Sequence, residues 1–191
     1  MMRVITGSAR GVRLETLEGT LTRPTSERAK EAVFSMLPLD LSGRRVLDLF
    51  AGSGQLGLEA LSRGADAAVF VDRAKEAAAV VTRNADKTRL AEKSTVVTSE
   101  ALAFLDGYTG KPFHLVFLDP PYAAGLLPDV LCKLAARDLL TAGATVVAEC
   151  GDPNALFGTD EALAARYQIL KSKRYGAAHI FLLAPQIKEI L

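Results

Sequence analysis

Apolar residues along this chain fall into two patterns: short continuous runs, and longer stretches in which they recur every three or four positions. The continuous runs, such as Ala67-Ala68-Val69-Phe70-Val71 and Leu115-Val116-Phe117-Leu118, predict strands covered on both faces. Strands are expected near residues 45–49, 67–72, 94–98, 114–118, 144–149, 167–172 and 179–184. Helical periodicity near 55–63, 74–88, 100–105 and 125–136 sets a helix between each early pair of strands. That alternation predicts an α/β fold, a Rossmann-like, doubly wound sheet of seven mostly parallel strands. Only a short turn around Gly176 joins the last two runs, too little for a parallel crossover, so they form an antiparallel hairpin. Ahead of the sheet come a hairpin over about residues 3–14, a loop at Pro24, and a helix from Glu27 to Met36. Ser26 is its expected N-cap, and Pro38 lies beyond its end.

The 191 residues, about half of them apolar, make one domain with enough interior to fold unaided. Residues 1–40 form an N-terminal extension and 41–185 the core. No apolar stretch approaches a membrane span and the first residues lack a signal-peptide core, so a cytoplasmic location is expected. Cys132 and Cys150 follow no metal or redox spacing and read as buried free thiols. His114 and His179 stand alone at strand positions, so both are assigned to structure and no metal is implied.

A net charge of +1 argues against strong nonspecific binding to nucleic acid, but the charges are unevenly placed. Residues 1–45 carry Arg3, Arg10, Arg13, Arg23, Arg28, Lys30, Arg44 and Arg45 against five acids. Arginines on a hairpin suit phosphate contact. A second group, Lys171, Lys173 and Arg174 before Tyr175, can line the same entrance. A solvated face is the alternative for each group.

Two segments carry chemistry. Val46-Leu47-Asp48-Leu49-Phe50-Ala51-Gly52-Ser53-Gly54-Gln55-Leu56-Gly57 reads as a buried strand, a glycine turn and a helix start. Its glycines let backbone pass close to a ligand, and the helix amides face it. Gly52, Gly54 and Gly57 have the dinucleotide spacing, so on that spacing NAD and S-adenosylmethionine are both open. Asp48 separates them: an acid there repels a pyrophosphate and suits a cofactor bearing an amino group and a sulfonium. Asp72, ending the next strand before Arg73, stands where a carboxylate takes a ribose diol, though a solvated strand-end acid explains it too. Glu100, before Ala101, is placed to accept from an adenine amino group; Ser99 as a helix N-cap with an acid behind it accounts for the same letters.

The second segment is Asp119-Pro120-Pro121-Tyr122, directly after an apolar strand. An exocyclic amine on a nucleobase is a poor nucleophile until its hydrogens are held. The Asp119 carboxylate and the Pro120 carbonyl suit that task, and two prolines stiffen the loop. Tyr122 offers a flat face for an unstacked base. The same kind of loop serves adenine N6 and cytosine N4 in DNA or RNA, and related loops serve protein glutamines. A non-catalytic RNA-binding protein is a further alternative.

Asp48 to Gly57 resembles motif I of the class I S-adenosylmethionine-dependent methyltransferases, and Asp119 to Tyr122 resembles their amino-methylating motif IV. With Arg3-Val4-Ile5-Thr6-Gly7, Arg10-Gly11-Val12-Arg13-Leu14 and the run from Leu21 to Leu37, the chain closely resembles the RsmD family, bacterial guanine-N2 methyltransferases of 16S (small-subunit) ribosomal RNA. The match runs from Arg3 to about Pro185. It implies cofactor contacts from Asp48, Ala51, Gly52, Ser53, Gly54, Asp72, Arg73, Glu100 and Ala101, and a catalytic loop of Asp119, Pro120, Pro121 and Tyr122. S-adenosylhomocysteine is the product cofactor. RNA contacts are expected from Arg3, Arg10, Arg13, Arg23, Thr25, Lys173 and Arg174. The implied partner is 16S ribosomal RNA within the small subunit or an assembly intermediate, met by a monomer. Glu100 departs from the Asn or Asp that relatives often carry there.

Overall fold

Along every central strand, successive residues enter opposite cores. In the computed structural model, which describes residues 2–17, 27–121 and 125–186, Val46, Ala68, Phe70, Leu115, Phe117 and Val147 pack on one face. Leu47, Val69, Val71, Val116, Leu118 and Ala148 pack on the other. Period-two alternation with both faces apolar is what a sheet covered by helices on both sides requires.

The seven strands are β1 (Arg45–Asp48), β2 (Ala67–Asp72), β3 (Ser94–Thr98), β4 (Phe113–Leu118), β5 (Leu140–Cys150), β6 (Tyr167–Tyr175) and β7 (Ala178–Pro185). Their order is β3-β2-β1-β4-β5-β7-β6. All neighbours are parallel except β7, which runs antiparallel to both β5 and β6. The expected terminal hairpin is therefore present, turning at Gly176 with φ 60°, and its second strand is inserted between β5 and the edge strand β6.

The helices are α1 (Glu27–Met36), α2 (Gln55–Ser62), α3 (Lys75–Lys87), α4 (Ala101–Gly107), α5 (Leu127–Ala136) and α6 (Glu161–Ala164). The first three share one core with the N-terminal segment, and the last three line the other. The one-turn α6, unanticipated from the pattern, is capped by Asp160 Oδ1, which accepts from Leu163 N at 2.9 Å. Strand β5 begins at Leu140, earlier than the apolar run indicates, and meets β4 through a register shift between Phe113 and Leu115. Ser99 does not cap α4: Glu100 holds the N-cap position, and the Ser99 hydroxyl donates to the Glu100 carbonyl instead. Ser26, the expected cap of α1, lies outside the described residues.

The N-terminal segment folds back on itself, with Arg3 and Arg13 bridged and Val4 N donating to Val12 O at 3.0 Å. It lies over α2, whose residues are all buried. The approach is so close that a Cβ on Gly7 would stand 1.8 Å from the Ser62 carbonyl oxygen. The fully buried Glu59 organises this contact. Its Oε2 accepts from Ile5 N at 2.6 Å, and its Oε1 from Thr6 N and Arg63 Nε, each at 3.0 Å. Lys30, also fully buried, sits 3.9 Å from Glu59 and donates to the Arg3 carbonyl. Lys30 therefore belongs to the interior, a correction to the basic surface read from the sequence: its partners lie in the arm and in α2, too far along the chain to be seen there.

Among the described residues no helix is long and apolar enough to cross a membrane. Cys150 is buried, whereas Cys132 is exposed, contrary to expectation. It sits on α5, whose buried positions are Leu127, Val130, Leu131 and Leu134, and position 132 falls off that face.

Candidate active site

The carboxyl ends of β2, β1, β4 and β5 line up along one edge of the sheet, and each carries an acid at its last residue or within one residue of it: Asp72, Asp48, Asp119 and Glu149. Asp48 is 3% exposed, and its Oδ2 accepts from Gly57 N at 2.9 Å in the first turn of α2. Burial pushes its pKa up from 3.8 to about 7; the Gly57 amide opposes this, and the charges of Asp119 and Asp72 add to it. A carboxylate held in that state is stabilised by an arriving cation.

Three glycines shape the turn in three ways. Gly52 (φ 53°) and Gly54 (φ 77°) adopt left-handed backbone. A Cβ at Gly52 would meet nothing within 4 Å, so that side of the loop is open to a ligand. At Gly57 a Cβ would lie 2.3 Å from Phe70 Cε1, so the third glycine lets α2 lie against β2.

Asp72 braces the loop from the next strand. Its Oδ2 accepts from Gly52 N and its Oδ1 from Ala74 N, both at 2.9 Å, leaving lone pairs on each oxygen for further donors. The neighbouring Arg73 is exposed. Glu100 is exposed at the start of α4, directly beyond β3, with Ala101 buried behind it. Asp48, Ala51, Gly52, Ser53, Gly54, Asp72 and Glu100 thus border one edge. An open glycine loop, a helix N-terminus and buried or strand-end carboxylates fit a nucleoside cofactor that carries positive charge.

Sequence reasoning missed Asn84, a polar residue on the inward face of α3. Fully buried, it donates through Nδ2 to the carbonyls of Ser53 at 2.9 Å and Glu15 at 3.0 Å, and accepts at Oδ1 from Glu15 N at 2.7 Å. One side chain thereby ties the glycine loop to the N-terminal arm. The available signal was an amide among Ala77, Val80, Val81 and Ala85, the buried positions of that helix.

Asp119 follows Leu118 at the end of β4, half-buried, with Pro120 buried and Pro121 exposed behind it. Tyr122, the last member of the expected catalytic loop, lies outside the described residues, as do Arg23, Pro24 and Thr25. Beside the loop is a cleft of about 250 Å³, lined among others by Pro120, Pro121, Leu126, Glu149, Cys150 and Asp152. Burial, with the charges of Asp152 and Glu149, pushes the Cys150 thiol up to about 11, so it stays protonated and unreactive at neutral pH.

The expected RNA contacts separate. Arg3, Arg10 and Arg13 are exposed on the arm, but Arg10 lies by the turn that packs at Ser62, the far end of α2. That end is roughly 10 Å from the glycine loop along the helix axis. Lys173 and Arg174 are at the same edge as Asp119 and Glu149, because β6 runs in the same direction as β5. Ile180 pairs with both Lys173 and Glu149, and His179 with both Arg174 and Cys150.

This strand order, with its glycine loop after the first strand and its Asp-Pro-Pro after the fourth, defines a class I S-adenosylmethionine-dependent methyltransferase. Within that class the chain belongs to the RsmD family: the model described as "Conserved hypothetical protein 95" matches residues 2–184. The ribosomal RNA small subunit methyltransferase D of Escherichia coli (strain K12) is 36% identical over 81% of this chain and 77% of its own. YlbH of Bacillus subtilis, a candidate rRNA methyltransferase, is 40% identical over 78% and 82% respectively. Among solved structures, yhhF of Escherichia coli, a candidate methyltransferase, superposes with a TM-score of 0.82 at 30% identity, covering 98% of this chain and 99% of that one.

Proposed function

We propose that this protein transfers a methyl group from S-adenosylmethionine to the exocyclic N2 amine of a guanine in 16S ribosomal RNA. The observation that carries the reading is the position of Asp119 and Pro120, one strand from the buried Asp48 and beside a cleft, in a chain whose relatives are named ribosomal RNA small subunit methyltransferase D. The cofactor, which supplies the methyl group, is held by Asp48, Ala51, Gly52, Ser53, Gly54, Asp72, Arg73, Glu100 and Ala101. The Asp119 carboxylate and the Pro120 carbonyl accept the two amino hydrogens, orient the nitrogen lone pair and stabilise the positive charge that develops on it. Tyr122 stacks on the base. Arg3, Arg10, Arg13, Arg23, Thr25, Lys173 and Arg174 meet RNA phosphates, and the protein works as a monomer on the small subunit or its assembly intermediate in the cytoplasm.

The test is transfer of labelled methyl from S-adenosylmethionine to small ribosomal subunits from a strain lacking the native enzyme, followed by digestion to nucleosides. Label in N2-methylguanosine is the expected outcome. Label on adenine or cytosine would overturn the substrate and keep the catalytic loop. Asp119→Ala is expected to abolish turnover while calorimetry shows cofactor affinity largely intact; loss of both together would sink the role given to Asp119.

A further inference from the structure

We infer that Glu149 is the residue that selects guanine, by accepting the ring N1–H while Asp119 and Pro120 hold the adjacent N2 amine. The inference rests on the guanine-N2 reading above and adds a specificity-determining residue to it.

Its position follows from register. Leu118 of β4 pairs with Ala148 of β5, so Asp119 and Glu149 are the next residues on adjacent parallel strands, about 4.8 Å apart. Phe117 and Val147 point into the core that holds α1 and α2, whereas Leu118 and Ala148 point into the other. By alternation Glu149 returns to the face of Phe117 and Val147. Asp119, two residues beyond Phe117, falls on that side by the same alternation. The two residues therefore leave the sheet side by side, with Pro120 and Glu149 bordering the cleft.

The cleft narrows the choice of residue. Of the two acids that line it, Asp152 is exposed and spends Oδ1 on Asn154 N at 2.9 Å, capping the turn at Pro153–Ala155. Glu149 is the buried one, 9% exposed. A carboxylate has about four acceptor sites, so it can hold a neighbour within the protein and still take an N–H from a base.

Base chemistry then decides what such a pair accepts. In guanine the amine at C2 lies between N1–H, a donor, and bare N3, with Glu149 set on the N1 side. In adenine the C6 amine is flanked by bare N1, and in cytosine the C4 amine by bare N3, both acceptors. A carboxylate beside the amine site attracts the first and repels the lone pairs of the other two. The loop alone accepts any of the three amines; the loop with Glu149 beside it accepts guanine.

The discriminating probe is 2-aminopurine, which keeps the C2 amine but has a bare N1. Small subunits are reconstituted with RNA carrying either guanine or 2-aminopurine at the nucleotide that wild-type protein labels, and methyl transfer is measured with wild type, Glu149→Gln and Glu149→Ala. Wild type is expected to prefer guanine by roughly 10- to 100-fold, the range one base-edge pair supplies. Glu149→Gln, whose amide can donate to a bare N1, is expected to level or reverse that preference, with S-adenosylmethionine affinity unchanged by calorimetry. Equal losses on both substrates in Glu149→Gln, leaving the ratio intact, would overturn the inference. Wild-type label on adenine or cytosine would instead overturn the function on which it rests.

Discussion

Asp48 makes the proposed cofactor site sensitive to pH. Its pKa is raised in the fold to about 7 from 3.8, so between those values the folded protein binds a proton that the unfolded chain has released. Stability contributed by that proton is present at low pH and is lost as pH rises through this window. Cofactor affinity moves the opposite way, because a cationic ligand favours the carboxylate and must expel the proton. Binding of S-adenosylmethionine should therefore tighten as pH rises toward about 7 and then level. Calorimetry near pH 6 in buffers of different ionisation enthalpy should register proton release, which Asp48→Asn should remove. Asp48, Asp72 and Asp119 were legible in the sequence because each ends an apolar run, and a strand end in a parallel sheet is a ligand position. Asn84 and Glu59 were not, since they act on partners 69 and 53 residues away, and nothing local announces such a pairing.

At the level of elements, α2 is the piece that everything else grips. It lies on β2 through Gly57, beneath the arm through Gly7, and holds Asp48 with its first turn. Gly57→Ala would drive a methyl group into Phe70 and is expected to cost about 1–3 kcal/mol, measured by denaturant unfolding. Glu59→Ala would take the opposite charge from beside the buried Lys30 and free the arm; about 3–5 kcal/mol is expected from the same measurement, the typical cost of removing one partner of a buried pair. The periodicity revealed α2 as a helix and the glycines marked its start. It did not reveal that its outer face is covered, because Glu59 and Ser62 are polar and their partners lie in the arm, more than 50 residues away. The strands were legible for the converse reason: runs apolar on both faces admit few other placements. The single turn of α6 is too short to show a period.

Across the described molecule, charge is sorted along the carboxyl edge of the sheet. Acids occupy the ends of β2, β1, β4 and β5, where a cationic cofactor and an amine are to be held. Lys173 and Arg174 lie beyond them on β6, where phosphates can be met. Replacing both with alanine is expected to weaken RNA binding and to flatten the slope of log affinity against log salt by about 1.4, for two contacts to single-stranded RNA. Filter binding across a salt series measures it, and an unchanged slope would place the phosphates elsewhere. The edge was readable in part: the parallel order predicted where ligands go, whereas the insertion of β7 depends on pairings that no local pattern encodes. That insertion sets the order in which the enzyme can come into being. As the chain leaves the ribosome, β6 emerges with no neighbour to bond, and β5, which carries Glu149, keeps an open flank. Both wait for β7, the last of the seven described strands in chain order. The wall of the cleft is thus finished only after β7 has been made, so a nascent chain that already holds the glycine loop and Asp119 has yet to acquire a complete place for its substrate.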